Sequence, residues 1–255
     1  MIKDQINETL LDLEQRKGIR VLFACESGSR AWGFASPDSD YDLRFIYAHP
    51  RDWYLELQEK KDTIDLMLPN DLDLSGWDLM KALKLFATCN LALNEWLDSP
   101  EIYWEVAPFR ETLASQIESF FNPRKALHHY LSMAKGTAER NFEGNQIKIK
   151  KLFYVLRPLI ACKWILAKQT MPPTQFQSLL DGGLIPPDVD ELIKKIQIVK
   201  ETAIEGELIE VDSSLVSWIQ HELLAIEDRE DTLPGSQKPG WEMLNSIMLS
   251  WTRPE

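Results

Sequence analysis

Asp40, Asp42 and Arg44 stand at alternate positions shortly after Gly28-Ser29-Arg30, and this combination suits phosphate chemistry. Side chains alternate along a strand, so the three would project from one face. Two ionised carboxylates in a partly desolvated site repel each other. A divalent cation removes that repulsion, and Mg²⁺ (or Mn²⁺) prefers hard oxygen ligands, usually one or two carboxylates together with substrate phosphates. Gly28 allows close backbone approach to a ligand, and the backbone N–H and hydroxyl of Ser29 can donate to phosphate oxygens. Arg30 and Arg44 are placed to meet phosphates or to hold the carboxylates in orientation, and an ordinary ion-pair role stays open for both.

The elements that must position these residues are legible from periodicity. Ile2, Ile6, Leu10 and Leu13 recur at helical spacing, which predicts an amphipathic helix ending near Gly18. Arg20 to Cys25 and Tyr41 to Ala48 read as strands, joined by a loop rich in Gly, Ser, Pro and Asp. Thr63 to Leu68 and Asp71 to Ser75 are further strand candidates. Helices are expected from about Trp77, with Leu79, Leu83 and Phe86 on one face and a short helix following around Leu91 to Leu97. Beyond Val106 nearly everything reads helical, interrupted at Pro123, Pro172-Pro173, Gly182-Gly183 and Pro186-Pro187. The stretch Asp228 to Gly240 reads as an exposed polar loop before a last helix around Trp241 to Trp251. The change of texture predicts an α/β domain over residues 1–105 and a helical domain over 106–255.

Gly28-Ser29, the spacer Arg30 to Ser39 and Asp40-Tyr41-Asp42 resemble the nucleotidyltransferase pattern of the DNA polymerase beta superfamily. The longer string from Gly28 to Tyr47, together with Asp71 to Lys81, Asn90 and Glu95-Trp96-Leu97, is similar to a nucleotidyltransferase family related to the RNA-ligase-associated, RNA-repair polymerase beta group. The resemblance implies an α/β (α+β) nucleotidyltransferase domain with a short mixed sheet, followed by a helical domain that caps the nucleotide. It also implies a third carboxylate on a neighbouring strand. Asp73, between Leu72 and Leu74, is the choice, Asp65 the competitor, and Asp71 a possible supporting acid. The implied reaction is attack of an acceptor hydroxyl on the α-phosphorus of a nucleoside triphosphate with release of pyrophosphate, with Asp40, Asp42 and Asp73 as catalytic and metal-binding residues. Lys150, Tyr154 and Arg157 share a helix face at i, i+4 and i+7 and, by the same resemblance, meet the triphosphate and base; a solvated charged face explains them equally well.

Composition narrows the partners. Hydrophobic residues make up 44% and charged residues 27% of 255, as in globular proteins. No apolar run approaches membrane-spanning length and the N-terminus does not read as a signal peptide, so a cytoplasmic location and no membrane partner are expected. Cys25, Cys89 and Cys162 lie far apart and read as reduced, buried thiols. The net charge is -12, yet Arg124 to Lys168 holds ten Lys or Arg against Glu139 and Glu143, a local +8. This distribution disfavours long nucleic acid and leaves a small hydroxyl compound, an RNA end or a protein side chain as acceptor. His128-His129 point in different directions on a helix and make a poor metal pair. Trp77, Trp96, Trp164, Trp218 and Trp251 read as helix-face core, whereas Trp32 lies within the motif loop. The rival reading is a catalytically weak, nucleotide-binding regulatory or antitoxin-like protein on the same fold.

Overall fold

Ile6, Leu10 and Leu13 lie fully buried along one side of helix α1 (Ile2–Lys17), where they cover a sheet. Each such side chain contributes roughly 1.5–3 kcal/mol by leaving water. This is a computed structural model, and it describes residues 2–68, 71–200, 204, 206–229, 232–235 and 240–252. Strand β1 (Arg20–Glu26) is followed by a short helix α2 (Gly28–Trp32), strand β2 (Tyr41–Ala48), a 3₁₀ turn (Arg51–Leu55), and strands β3 (Thr63–Leu68) and β4 (Leu72–Asp78). Helices α3 (Leu79–Ala87) and α4 (Leu91–Leu97) precede β5 (Ile102–Glu105), α5 (Phe109–Ala114) and α6 (Ile117–Phe120).

The sheet runs β3-β4-β2-β1-β5, with β2 and β4 parallel and the other pairs antiparallel. Alternation gives it two characters. Leu43, Phe45 and Tyr47 of β2 and Leu72 and Leu74 of β4 face the core beneath α1. On β4 this face needs a glycine: a Cβ on Gly76 would fall 2.2 Å from the ring of Phe45. Asp42, Arg44, Asp73 and Ser75 occupy the opposite face, because they pair in register across the parallel strands.

The rest of the chain is mostly helical: α7 (Pro123–Asn141), α8 (Ile149–Lys168), α9 (Phe176–Leu180), α10 (Pro187–Lys200), α11 (Ser213–Glu227) and α12 (Trp241–Trp251). A small ribbon of β6 (Gln146–Lys148) and β7 (Leu208–Glu210) departs from the all-helical expectation. Among the described residues no helix is long and apolar enough to cross a membrane. Residues 230, 231 and 236–239 of the expected loop before α12 lie outside the described residues.

Two compact units result. One comprises Met1–Ala31, Asp40–Phe120 and Lys238–Glu255; the other comprises Trp32–Ser39 and Phe121–Gln237. This differs from a single break at 105/106, because packing rather than texture defines a unit. Phe109 is fully buried and meets Trp251 edge-on at 5.2 Å, and Phe120 lies 5.0 Å from Phe86, so α5, α6 and α12 belong with the sheet. The strand through Trp77 is a correction to the helix expected from about that residue. Trp77 pairs with Ile46 and Thr63 in the sheet, and helix α3 starts only after Asp78, whose side chain caps it by accepting the Met80 N–H at 2.8 Å.

Candidate active site

The site is built at the starts of two parallel strands. Asp42 on β2 and Asp73 on β4 are direct register partners, so their Cα atoms lie one strand spacing apart and their side chains share a face. At about 5 Å in a partly screened site, two such charges repel by roughly 3 kcal/mol. Arg44 answers this. One terminal nitrogen donates to Asp42 Oδ1 at 2.9 Å and to Asp73 Oδ2 at 2.8 Å, while the other donates to the Asp73 and Leu43 carbonyls, both at 3.1 Å. Of the two roles open to Arg44 in the sequence, holding the carboxylates is the one its geometry displays.

Asp42 is fixed from below by β1. Its N–H donates to Glu26 Oε1 at 2.8 Å and its carbonyl accepts from the Ser27 N–H at 2.9 Å. Gly28 has φ +61, and a Cβ there would lie 2.2 Å from Asp42 Oδ2, so this glycine is demanded by both backbone conformation and the carboxylate beside it. The glycine therefore accommodates Asp42 itself, where the sequence suggested room for a ligand. Ser29 follows in α2 and is buried. Arg30 donates from Nε to the Asp40 carbonyl at 3.0 Å and lies over the Tyr41 ring at 3.9 Å, which ties the two ends of the motif together. Asp40 immediately precedes β2 and is exposed.

The competing acid lies one strand further out, on β3 opposite Ser75. Asp65 accepts from the Ser75 hydroxyl at 2.8 Å and meets Lys61 at 3.5 Å, and these contacts, the Ser75 bond foremost, hold its carboxyl below the usual range. Asp71 sits in a turn at φ 54, and its carbonyl accepts the Tyr41 N–H. Cys25, buried next to this face, has its thiol pushed far up by desolvation and offers no thiolate.

Glu26 was not anticipated. It is 1% exposed, and its second oxygen accepts from the Tyr103 hydroxyl at 2.5 Å. Burial raises its proton affinity, against the pull of the Tyr103 and Asp42 hydrogen bonds. The available signal was an acid closing an otherwise apolar strand, Arg-Val-Leu-Phe-Ala-Cys-Glu.

Lys150, Tyr154 and Arg157 lie on α8 in the helical unit and do not act as one exposed face. Arg157 is a correction to the sequence reading: it is fully buried, donates from Nε to the Thr174 carbonyl at 3.1 Å, and lies 4.4 Å over the Trp32 ring. A guanidinium enclosed in this way is not presented to a triphosphate. Its neighbours Val155, Leu156, Pro158 and Leu159 are all buried, which was the signal for its burial. Tyr154 meets Trp32 edge-on at 5.1 Å, and Lys150 is partly buried at the start of the helix.

The carboxylates are hard oxygen donors of the kind a divalent cation takes. Among the described residues no group of three or more His, Cys, Asp or Glu is placed to hold a metal ion, so Asp40, Asp42 and Asp73 are not gathered as one three-carboxylate site. Mg²⁺ seldom requires one, since it retains waters and takes one or two protein carboxylates plus phosphate oxygens. Asp42 and Asp73 side by side offer two such carboxylates, whereas Asp40 is exposed just before β2.

Comparison with known proteins gives three findings. The profile of the RNA repair pathway DNA polymerase beta family matches residues 2–250. The protein called "Uncharacterized protein YcgL" from Bacillus subtilis (strain 168) is 36% identical over 252 residues, which is 98% of this chain and 96% of that protein. A solved nucleotidyltransferase-like protein from Exiguobacterium sibiricum 255-15 aligns with 98% of this chain and 77% of its own, at a TM-score of 0.33 and 13% identity.

Proposed function

Because the chain belongs to the RNA repair pathway DNA polymerase beta family, we propose that it transfers a nucleoside monophosphate from a nucleoside triphosphate to an acceptor hydroxyl, releasing pyrophosphate. The observation that carries this reading is the Asp42–Asp73 register pair, joined by Arg44 and flanked by Gly28. Asp40 and Asp42 orient the triphosphate end, with the Ser29 and Arg30 segment of α2 beside it. Asp73 faces the acceptor. The acceptor oxygen forms a bond to the α-phosphorus as the bond from that phosphorus to the pyrophosphate oxygen breaks, and the acceptor proton passes to an Asp73 carboxylate oxygen and on to solvent. Bound Mg²⁺ supplies neutralisation of the triphosphate oxygens and makes the acceptor hydroxyl more acidic. Arg44 keeps the two carboxylates parallel before substrate arrives, so little reorganisation is needed when it does.

The test is thermal stabilisation by each of the four ribonucleoside triphosphates with and without Mg²⁺, together with pyrophosphate release. A ligand at 100 times its Kd adds about 2.7 kcal/mol of stability. Wild type is expected to show a metal-dependent shift that Asp40→Asn/Asp42→Asn lacks. Asp73→Asn should retain much of the shift and lose pyrophosphate release, whereas Asp65→Asn should behave as wild type in both. Wild-type release from Asp42→Asn would sink the assignment, and binding without release by the wild type would favour the regulatory reading.

A further inference from the structure

The geometry points to Glu26 as a positioning residue for Asp42, acting as the buried hydrogen-bond acceptor that sets where the Asp42 carboxylate stands. Its placement is independent of any reaction; its catalytic consequence rests on the nucleotidyl-transfer reading above.

Glu26 is anchored on every side. Its own N–H donates to the Glu101 carbonyl at 3.0 Å and its carbonyl accepts from the Ser99 hydroxyl at 2.7 Å. Of its carboxylate oxygens, one accepts from Tyr103 on β5 and the other from the Asp42 N–H on β2. Tyr103 is a dependable donor, since burial, with Glu26 adding to it, raises its phenol well above the ordinary value and keeps the proton on oxygen. A chain of fixed bonds thus runs from β5 through the end of β1 to the peptide of Asp42.

Two other roles fit less well. As a general acid or base, Glu26 would need a path to substrate, and at 1% exposure with both oxygens bonded it has none. As core packing, a carboxylate is a poor choice: burying one costs several kcal/mol unless hydrogen bonds repay it. The bond to Asp42 gives the arrangement a purpose. With its N–H held by Glu26, its carbonyl by Ser27, and its carboxylate between Gly28 and Arg44, Asp42 has no freedom to tilt. A displacement of about 1 Å at a reacting centre can cost on the order of 10²-fold in rate.

Three variants test this: Glu26→Ala, Glu26→Gln and Tyr103→Phe. The first readout is hydrogen exchange of the Asp42 amide in the protein alone. The second is the Mg²⁺ concentration giving half of the thermal shift with the triphosphate that stabilises wild type most. Glu26→Ala is expected to speed Asp42 exchange by about tenfold or more while the Phe45 amide is unchanged. It should also raise the Mg²⁺ midpoint by about 10–100-fold, the usual effect of removing a group that orients a metal ligand. Glu26→Gln keeps an acceptor oxygen and should stay within about threefold of wild type on both, and Tyr103→Phe should fall between. Wild-type protection of the Asp42 amide in Glu26→Ala overturns the inference, as does a Gln variant as impaired as the Ala variant. Should Glu26→Ala not fold, wild-type values for Tyr103→Phe in both readouts overturn it equally. No triphosphate shift in wild type would count against nucleotidyl transfer alone, with Asp42 exchange still deciding the role of Glu26.

Discussion

Arg44 donates through a single nitrogen to both Asp42 and Asp73, so the protein carries its own counter-charge across the two strand starts. Removing it sets two carboxylates in register without a cation, and hydrogen bonds to charged groups contribute about 1.5–3 kcal/mol. Arg44→Met should therefore lower stability by about 2 kcal/mol in EDTA. Added Mg²⁺ should restore much of the loss, since a cation bound to the native pair stabilises it. Equal melting temperatures for Arg44→Met and wild type in EDTA would show that the bridge contributes nothing. At this scale the sequence was informative where local spacing mattered. The glycine, the serine and the two acids of the motif were visible, and Arg44 followed from strand alternation. The acid beside Asp42 was open between Asp73 and Asp65, because register between strands distant in sequence is set by tertiary pairing and not by spacing. Glu26 and Arg157 were harder to read, because a charge inside an apolar run shows that something must satisfy it without showing what.

Asp78 shows how an element boundary joins to packing. It ends β4, caps α3 through Met80 and accepts the Tyr54 hydroxyl at 2.7 Å, all at 1% exposure. Asp78→Ala removes the cap, worth about 0.5–2 kcal/mol, and takes away the acceptor of the half-buried Tyr54 hydroxyl, which costs about 1–3 kcal/mol more. Asp78→Asn keeps one acceptor oxygen, for the Met80 N–H, and sets an amide NH2 against the Tyr54 hydroxyl, so it should lose the hydroxyl contribution of about 1–3 kcal/mol but not the cap. Chemical denaturation midpoints separate the two variants; equal losses would mean that the cap contributes nothing at this corner. The helix expected from Trp77 was misplaced because Trp77 and Leu79 fit an apolar helical face as well as they fit a strand running into a helix. Strand β5 went unread for a related reason: at four residues, Ile102–Glu105, it is too short to show alternation, yet it brings Tyr103 to Glu26. The middle of the motif loop, Trp32–Ser39, belongs to the helical unit. Trp32 and Phe34 pack with Phe153, Tyr154 and Phe176, and Ser36 is bonded by Lys200, all within the helical unit.

Charge and connectivity belong to the whole molecule. Four of the ten basic residues in the +8 stretch are engaged within the fold: Lys135 and Lys163 pair with Glu227 and Glu222 of α11, Arg157 is buried, and Arg124 donates to the Leu233 carbonyl. Summing charges along a chain ignores the acids that folding brings alongside, here Glu222 and Glu227. Connectivity was equally hidden, since neither unit is one continuous stretch: the sheet unit takes back α12 after the helical unit is complete. In α12, Leu244 and Ile247 are buried, and Trp251 meets Phe109 at 5.2 Å. Their exposure would forfeit at least about 3–6 kcal/mol of apolar burial. A chain ending at residue 237 should therefore lose hydrogen-exchange protection in α3, α5 and β1 while the amides of α7 and α8 keep theirs. Leu244→Ala/Ile247→Ala, which leaves the chain intact, should weaken the same amides by about 4 kcal/mol or more, as each truncation alone costs about 2–5. A loss spread evenly over both units, or confined to α12, would show that the last helix is not part of the sheet unit's core and that the break near residue 105 describes the molecule better.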